Sequence, residues 1–203
     1  MEDTLFSSTV KRPLADRLRP KTLDEVVGQS HLTGEDAPLK RMLLSGKITS
    51  FILWGPPGCG KTTIARLMAE HTNLYFEQIS AVFSGVADLK RVFQYATERR
   101  ANQGKGTLLF VDEIHRFNKS QQDGFLSYVE DDTIILVGAT TENPSFELNA
   151  ALLSRCQVFV LNRLNADDFE ILLERAEKET GQKLPVDDEA RTFLKQIADG
   201  DGR

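Results

Sequence analysis

Cysteine is scarce in this chain, with only Cys59 and Cys156 in 203 residues. Two thiols cannot build a four-cysteine zinc module, and their positions suggest no disulfide framework. That usage fits a reducing compartment, so a cytoplasmic location is expected. No apolar run is long enough to span a bilayer. The opening residues, MEDTLFSSTVKR, lack the apolar core of a signal peptide. Positive charge is not in excess either: 25 Lys and Arg stand against 30 Asp and Glu, a formal net charge of −5. This argues against a generally basic nucleic-acid coat but leaves room for a local basic groove. There is no internal repeat and no low-complexity segment. A hydrophobic fraction of 40% and a charged fraction of 27% are those of a soluble globular protein. The length suits one large domain, or a domain with a small partner.

What is present centres on Phe51–Thr62, FILWGPPGCGKT. The apolar run Phe51–Trp54 reads as a buried strand. It meets Gly55-Pro56-Pro57-Gly58-Cys59-Gly60-Lys61-Thr62, which fits the phosphate-binding pattern G-x-x-x-x-G-K-[ST]. Thr63 to Glu70 continues as a helix. The glycines let backbone N–H groups converge on phosphate oxygens, and the helix start adds its positive end. Lys61 would reach the β- and γ-phosphates, and the Thr62 hydroxyl would hold Mg²⁺. The backbone of Gly55 to Thr63 is the expected nucleotide cradle. A chance glycine turn is improbable with strand and helix both in place.

Taken in order, residues 1–12 read as a loose tail. Pro13–Gln29 has little periodicity and could be a basic surface arm. Strands are expected at Asn73–Ile79, Thr107–Val111, Thr133–Gly138 and Gln157–Leu161. Helices are expected at Leu39–Leu44, Gly85–Asn102 with Ser84 as cap, Ser120–Val129 and 147–154. The strands alternate with helices and are mostly apolar throughout, the signature of an α/β fold with a parallel sheet covered on both faces. Asn165 and Asp187 can cap two further helices, with Asp168 completing a capping box for the first. These divide the chain into a core, 13–164, and a small helical unit, 165–203.

Asp112-Glu113 closes the Thr107–Val111 run about 50 residues after the phosphate loop. At that spacing it reads as a Walker B element, with Asp112 holding Mg²⁺ and Glu113 activating water. Thr140 and Thr141 end the next strand, and a hydroxyl there lies beside Glu113 if the two strands are neighbours. Arg155 precedes the fifth strand. A guanidinium suits a transferring phosphoryl, though Arg155 alone would be an ordinary helix-end arginine. His115 resembles the histidine of helicase DExH motifs and equally fits a structural role. Trp54 reads as strand packing.

The order of elements resembles an AAA+ ATPase of the clamp-loader clade with a helical lid. This implies a five-stranded parallel AAA+ P-loop sheet flanked by helices, then part of a small helical lid domain. The resemblance places adenine against the backbone of Val27 and Gly28. It makes Thr141 the sensor 1 residue, Arg155 the arginine finger of a Ser-Arg-Cys motif, and Arg203 the sensor 2 arginine of Asp199–Arg203. Two long runs narrow the match: Asp112–Asp123 (DEIHRFNKSQQD) and Gly138–Asn149 (GATTENPSFELN). With Ile79–Val82 and Ser84–Val86, they closely resemble the RarA (MgsA) family of replication-associated recombination ATPases, which includes the Werner helicase-interacting proteins. One departure is Cys59, where threonine is common. Members of that family are longer and assemble through a C-terminal region, so the chain is expected to be an N-terminal portion, monomeric or weakly associating by itself.

The resemblance further implies ATP and Mg²⁺ as cofactors and ATP hydrolysis stimulated by DNA in the intact oligomer. The implied partners are single-stranded, gapped or forked DNA, single-strand binding protein and the replisome, in a nucleoid-associated setting. Ser84 and Lys119, at helix starts, are candidate phosphate contacts, though Lys119 also fits a solvated turn. The alternatives are a clamp-loader-like ATP-gated scaffold and a RuvB-like branch-migration motor. RuvB motors insert a β-hairpin between Walker B and sensor 1, and this interval leaves little room for one.

Overall fold

The computed structural model describes residues 13–202. Five parallel strands form one sheet: β1 (Phe51–Trp54), β2 (Tyr75–Ser80), β3 (Thr107–Asp112), β4 (Ile134–Thr140) and β5 (Gln157–Val160), in the order β2-β3-β4-β1-β5. The expected strands are all present, with ends shifted by a residue or two. β1 is central to the site because it pairs with β4 on one side and β5 on the other. β3 pairs with β4, so the ends that carry Asp112-Glu113 and Thr140-Thr141 are side by side.

Period-two alternation sends the side chains of each strand to two separate cores. Phe51, Leu53, Leu108, Phe110, Val137 and Ala139 pack with helices α3 (Pro38–Ser45) and α4 (Lys61–Glu70) on one face. Ile52, Leu109, Val111 and Leu136 pack with α5 (Val86–Gln103) and with Phe125 and Val129 on the other. Each such side chain, fully buried, contributes about 1.5–3 kcal/mol of transfer free energy. This two-sided burial is why the central strands read as unbroken apolar runs. The edge strands β2 and β5 are mostly half-exposed or exposed, and their sequences alternate accordingly.

Four local expectations are corrected. Pro13–Gln29 is not irregular throughout: it forms α1 (Leu14–Arg17) and a 3₁₀ turn at Leu23–Glu25, and α2 (Ser30–Thr33) follows. The helix expected over Ser120–Val129 is two, α6 (Lys119–Asp123) and α7 (Leu126–Glu130), broken around Gly124. The helix expected over 147–154 is also two, α8 (Pro144–Glu147) and α9 (Ala150–Leu153), each started by an asparagine cap, Asn143 and Asn149. Asn149 is pulled out of helix by a side-chain bond to Asp123 and a backbone bond to Gln122. Ser84 does not cap α5; the Asp88 carboxylate accepts from the Gly85 N–H at 2.9 Å instead.

α10 (Ala166–Thr180) and α11 (Asp188–Ala198) follow the sheet. Asn165 caps α10 through the N–H groups of Asp167 and Asp168, and the Asp168 carboxylate returns to the Asn165 N–H at 2.9 Å. Asp187 caps α11. Arg191 bonds Glu170 and Glu177 across the two helices, and Lys195 pairs with Glu170. The pair meets the core where Arg175 donates to the Glu25 carbonyl at 2.6 Å and Arg17 to Glu179. No helix among the described residues is long and apolar enough to cross a membrane.

Candidate active site

A cavity of about 640 Å³ opens at the C-terminal ends of the strands, walled by the phosphate loop, the Walker B acids and the first lid helix. Ligands of open α/β sheets bind at this rim because backbone N–H groups and helix starts converge there. Gly60 leads into α4 with φ 103°, a left-handed conformation that glycine adopts without strain. Pro57 to Thr63 all line the cavity. Gly55 and Pro56 do not; their carbonyls accept from Lys61 Nζ at 2.7 and 2.8 Å. The lysine is thereby folded over the loop it must serve, nine-tenths buried, with two of its three ammonium protons bonded.

Thr62, Asp112 and Glu113 line the same cavity. A hydroxyl and a carboxylate are hard oxygen donors, and Mg²⁺ takes few protein ligands beside water and phosphate oxygens. The donor set fits that ion, and no cluster of three metal-ligating side chains among the described residues competes for it. Glu113 follows β3 in the left-handed region, φ 52° and ψ 46°. A non-glycine residue there stores about 1–2 kcal/mol. It is held by Ile114, fully buried in the core beneath. The Thr141 hydroxyl lies 3.5 Å from Glu113 Oε2, so the ends of the two strands meet at this carboxylate.

Val27 lines the cavity, together with Leu18, Pro20, Leu164 and Leu172, which make one wall of it apolar. Gly28 stands behind that wall. Its φ is 75°, and a Cβ would come within 2.6 Å of Leu164 Cδ2 and 2.9 Å of Asp168 Oδ2. Glycine is therefore needed for Leu164 and the start of α10 to pack against this segment. Gln29 was not singled out in the sequence, yet it is fully buried and joins three segments. Its Nε2 donates to the Asn162 carbonyl at 2.8 Å and weakly to the Cys59 carbonyl at 3.4 Å, and its Oε1 accepts from Asn162 N–H at 2.9 Å. Nothing local signals this role, because Asn162 lies far along the chain. Arg66 and Gln78, bonded to each other at 3.0 Å, also line the cavity unannounced by any motif.

Arg155 lies elsewhere. β5 begins at Gln157, opposite Phe51 at the start of β1, while the phosphate loop leaves the far end of β1. Four strand residues at about 3.3 Å each place Arg155 more than about 10 Å from the loop. Its guanidinium pairs with Glu130 and donates to the Ala151 carbonyl at 2.7 Å. Ser84 and Lys119 are likewise outside the cavity; Lys119 is exposed in the first turn of α6. Both helix starts are capped by their own side chains, Asp88 and Asn118. Arg203 and the tail 1–12 lie outside the described residues. Burial pushes the Cys59 thiol up from its ordinary value and the Cys156 thiol up to about 12. Burial thus disfavours the thiolate form at both cysteines.

A family model described as "ATPase family associated with various cellular activities (AAA)" matches residues 51–164, phosphate loop and Walker B included. The chain belongs to this AAA family. Replication-associated recombination protein A of Escherichia coli (strain K12) is 48% identical over 203 residues, covering 98% of this chain and 45% of that protein. ATPase WRNIP1 of Dictyostelium discoideum is 46% identical, covering 98% of this chain and 23% of that protein. The AAA chain thus spans less than half the length of these curated relatives. Among solved structures, the Thermotoga maritima RuvB Holliday junction branch migration motor superposes with a TM-score of 0.73 at 28% identity, over 92% of this chain and 62% of that one. The relatives bear out the resemblance carried by the two long motifs. Between β3 and β4 the AAA module holds only helices and turns, with no inserted hairpin.

Proposed function

We propose that this chain is the ATP-hydrolysing module of a DNA-dependent ATPase for replication-fork maintenance and recombination. The observation that carries it is the convergence of Lys61, Thr62, Asp112 and Glu113 on one cavity, with the Thr141 hydroxyl at Glu113. ATP binds with its phosphates on the loop and its base against Val27 and the apolar wall. Lys61 turns from the Gly55 and Pro56 carbonyls to the phosphates. Thr62 and Asp112 would hold Mg²⁺, which would supply charge neutralisation at the phosphates. Glu113 takes a proton from water, and Thr141 orients it. Arg155, at the opposite end of the sheet, serves a second copy, so hydrolysis requires association. Arg203 is assigned the sensor 2 role. DNA reaches the assembly through cationic contacts such as Lys119, with Ser84 a second candidate.

The test is ATP binding and hydrolysis by the purified chain over a range of protein concentrations, with and without gapped or forked DNA. Lys61→Ala should lose ATP binding. Glu113→Gln should bind ATP but not turn it over, and wild-type turnover per chain should rise with concentration. Turnover independent of concentration, or surviving Glu113→Gln, overturns this reading. Lys119→Ala should lessen DNA stimulation and its salt dependence.

A further inference from the structure

His115 occupies the position between the two catalytic strands. Its side chain is 7% exposed, and its Nδ1 lies 2.9 Å from Thr140 Oγ1 and 3.4 Å from Glu113 Oε2. The proton on that nitrogen can be assigned from the network. The buried Thr140 hydroxyl donates to the Glu142 carbonyl at 3.2 Å and accepts from the Glu142 N–H at 3.0 Å. We assign its one proton to the Glu142 carbonyl, which leaves Nδ1 to carry the hydrogen and give it to Thr140 Oγ1, so that an N–H rather than a lone pair is turned toward Glu113. The same N–H faces Glu113 Oε2 just beyond bonding distance. A small rotation of the carboxylate would bring the two together.

The same carboxylate oxygen, Oε2, is the one 3.5 Å from the Thr141 hydroxyl. Two donors, the Thr141 hydroxyl just beyond β4 and the Nδ1–H held against Thr140, therefore face one oxygen of Glu113, a residue that also lines the cavity. The turn that carries both residues is fixed from below. Ile114, between them, is fully buried, and Arg116 N–H donates to the Glu113 carbonyl at 2.8 Å.

We propose that His115 is a positioning residue for Glu113: its Nδ1–H, shared between Thr140 and Glu113, holds Oε2 toward β4 and presents Oε1 to the water that attacks ATP. This rests on the reading of Glu113 as the residue that activates water. Without the imidazole the carboxylate keeps only the 3.5 Å contact to the Thr141 hydroxyl, and misplacement of about 1 Å can cost about 100-fold in rate. Nucleotide affinity is untouched, because Lys61 and the loop are held by other contacts.

The test compares His115→Leu, His115→Asn and His115→Gln with Glu113→Gln in the purified chain. Single-turnover ATP hydrolysis, ATP affinity and melting temperature are measured for each. An asparagine amide can place an N–H where Nδ1 stood, and a glutamine amide places one nearer Nε2. His115→Leu should slow hydrolysis about 10- to 100-fold with ATP affinity unchanged. His115→Asn should recover most of the rate and His115→Gln should not, a comparison that holds even if the leucine variant fails to fold. Equal rates for Asn and Gln, or loss of affinity and melting temperature in step with rate, would overturn the inference. If Glu113→Gln abolishes turnover while His115→Leu retains it, the inference alone falls. If Glu113→Gln still turns over, the reading of the site falls with it.

Discussion

Adding one methyl at Gly138 would test whether the core beneath the Walker B turn controls Glu113. Gly138 lies in β4 opposite Ile52 of β1 and Val111 of β3. A Cβ there would meet Ile52 Cδ1 at 2.7 Å, Ile114 Cδ1 at 2.9 Å and Ile114 Cγ2 at 3.2 Å. The two isoleucines are fully buried, so neither has an open side to swing toward. Overpacking of this kind costs about 1–3 kcal/mol. For a chain of this size that is a melting temperature lower by about 2–12 °C. The strain is directional, because Ile114 sits between Glu113 and His115. Gly138→Ala should therefore slow hydrolysis beyond what lost stability explains, with ATP affinity kept. Ile114→Val removes Cδ1 and by itself costs about 0.5–1.5 kcal/mol. Combined with Gly138→Ala it should be milder than the sum by about 1 kcal/mol and should recover part of the turnover, because the contact to Ile52 Cδ1 remains. The assays are urea unfolding for the double-mutant cycle and single-turnover hydrolysis. Additivity within about 0.5 kcal/mol would show that the methyl and Ile114 do not meet, and would refute the reasoning.

Gln29→Leu strips the two bonds to Asn162 and leaves buried backbone groups unpaired, so urea unfolding should show a loss of about 2–4 kcal/mol and weaker ATP binding. A loss under about 0.5 kcal/mol would mean water replaces the amide. Glu170 is held at about 2, first by its bonds to Arg191 and Lys195, and Glu177 is also held below its ordinary value by Arg191. Depressed carboxylate values mean that this support is present above the ordinary range near 4.5 and is lost as pH falls from there toward about 2. Thermal unfolding should therefore weaken across that window, with a shallower acid limb in Glu170→Gln and in 1 M salt, since the group is exposed. Cys59 and Cys156 should alkylate slowly at pH 8 and speed up in urea; fast native labelling of Cys59 would contradict its burial.

The site was legible to different depths. Lys61, Thr62, Asp112 and Glu113 could be read because their spacing follows from the strand–loop–helix unit that carries them. Thr141 could be read only conditionally, since the argument needed β3 and β4 to be neighbours. The breaks at Gly124 and Asn149 were missed because the apolar pattern continues across them. At Asn149 the interruption is side-chain bonding, its contacts to Asp123 and Gln122 and its cap on the Leu152 N–H; at Gly124 it is the glycine's own weak preference for a helix interior. Ser84 was misread as a cap because serine before a helix usually is one, and Asp88 takes the Gly85 N–H instead.

Local chemistry along the chain determined the α/β alternation, the phosphate loop and the Walker acids. Apolar period, glycine and caps act over a few residues and need no partner. Only the folded chain decided that Arg155 lies at the end of the sheet away from the loop, that Gln29 joins Asn162 to the core, and that His115 sits between Thr140 and Glu113. Those facts depend on strand order and register, which are set by packing between residues distant in sequence.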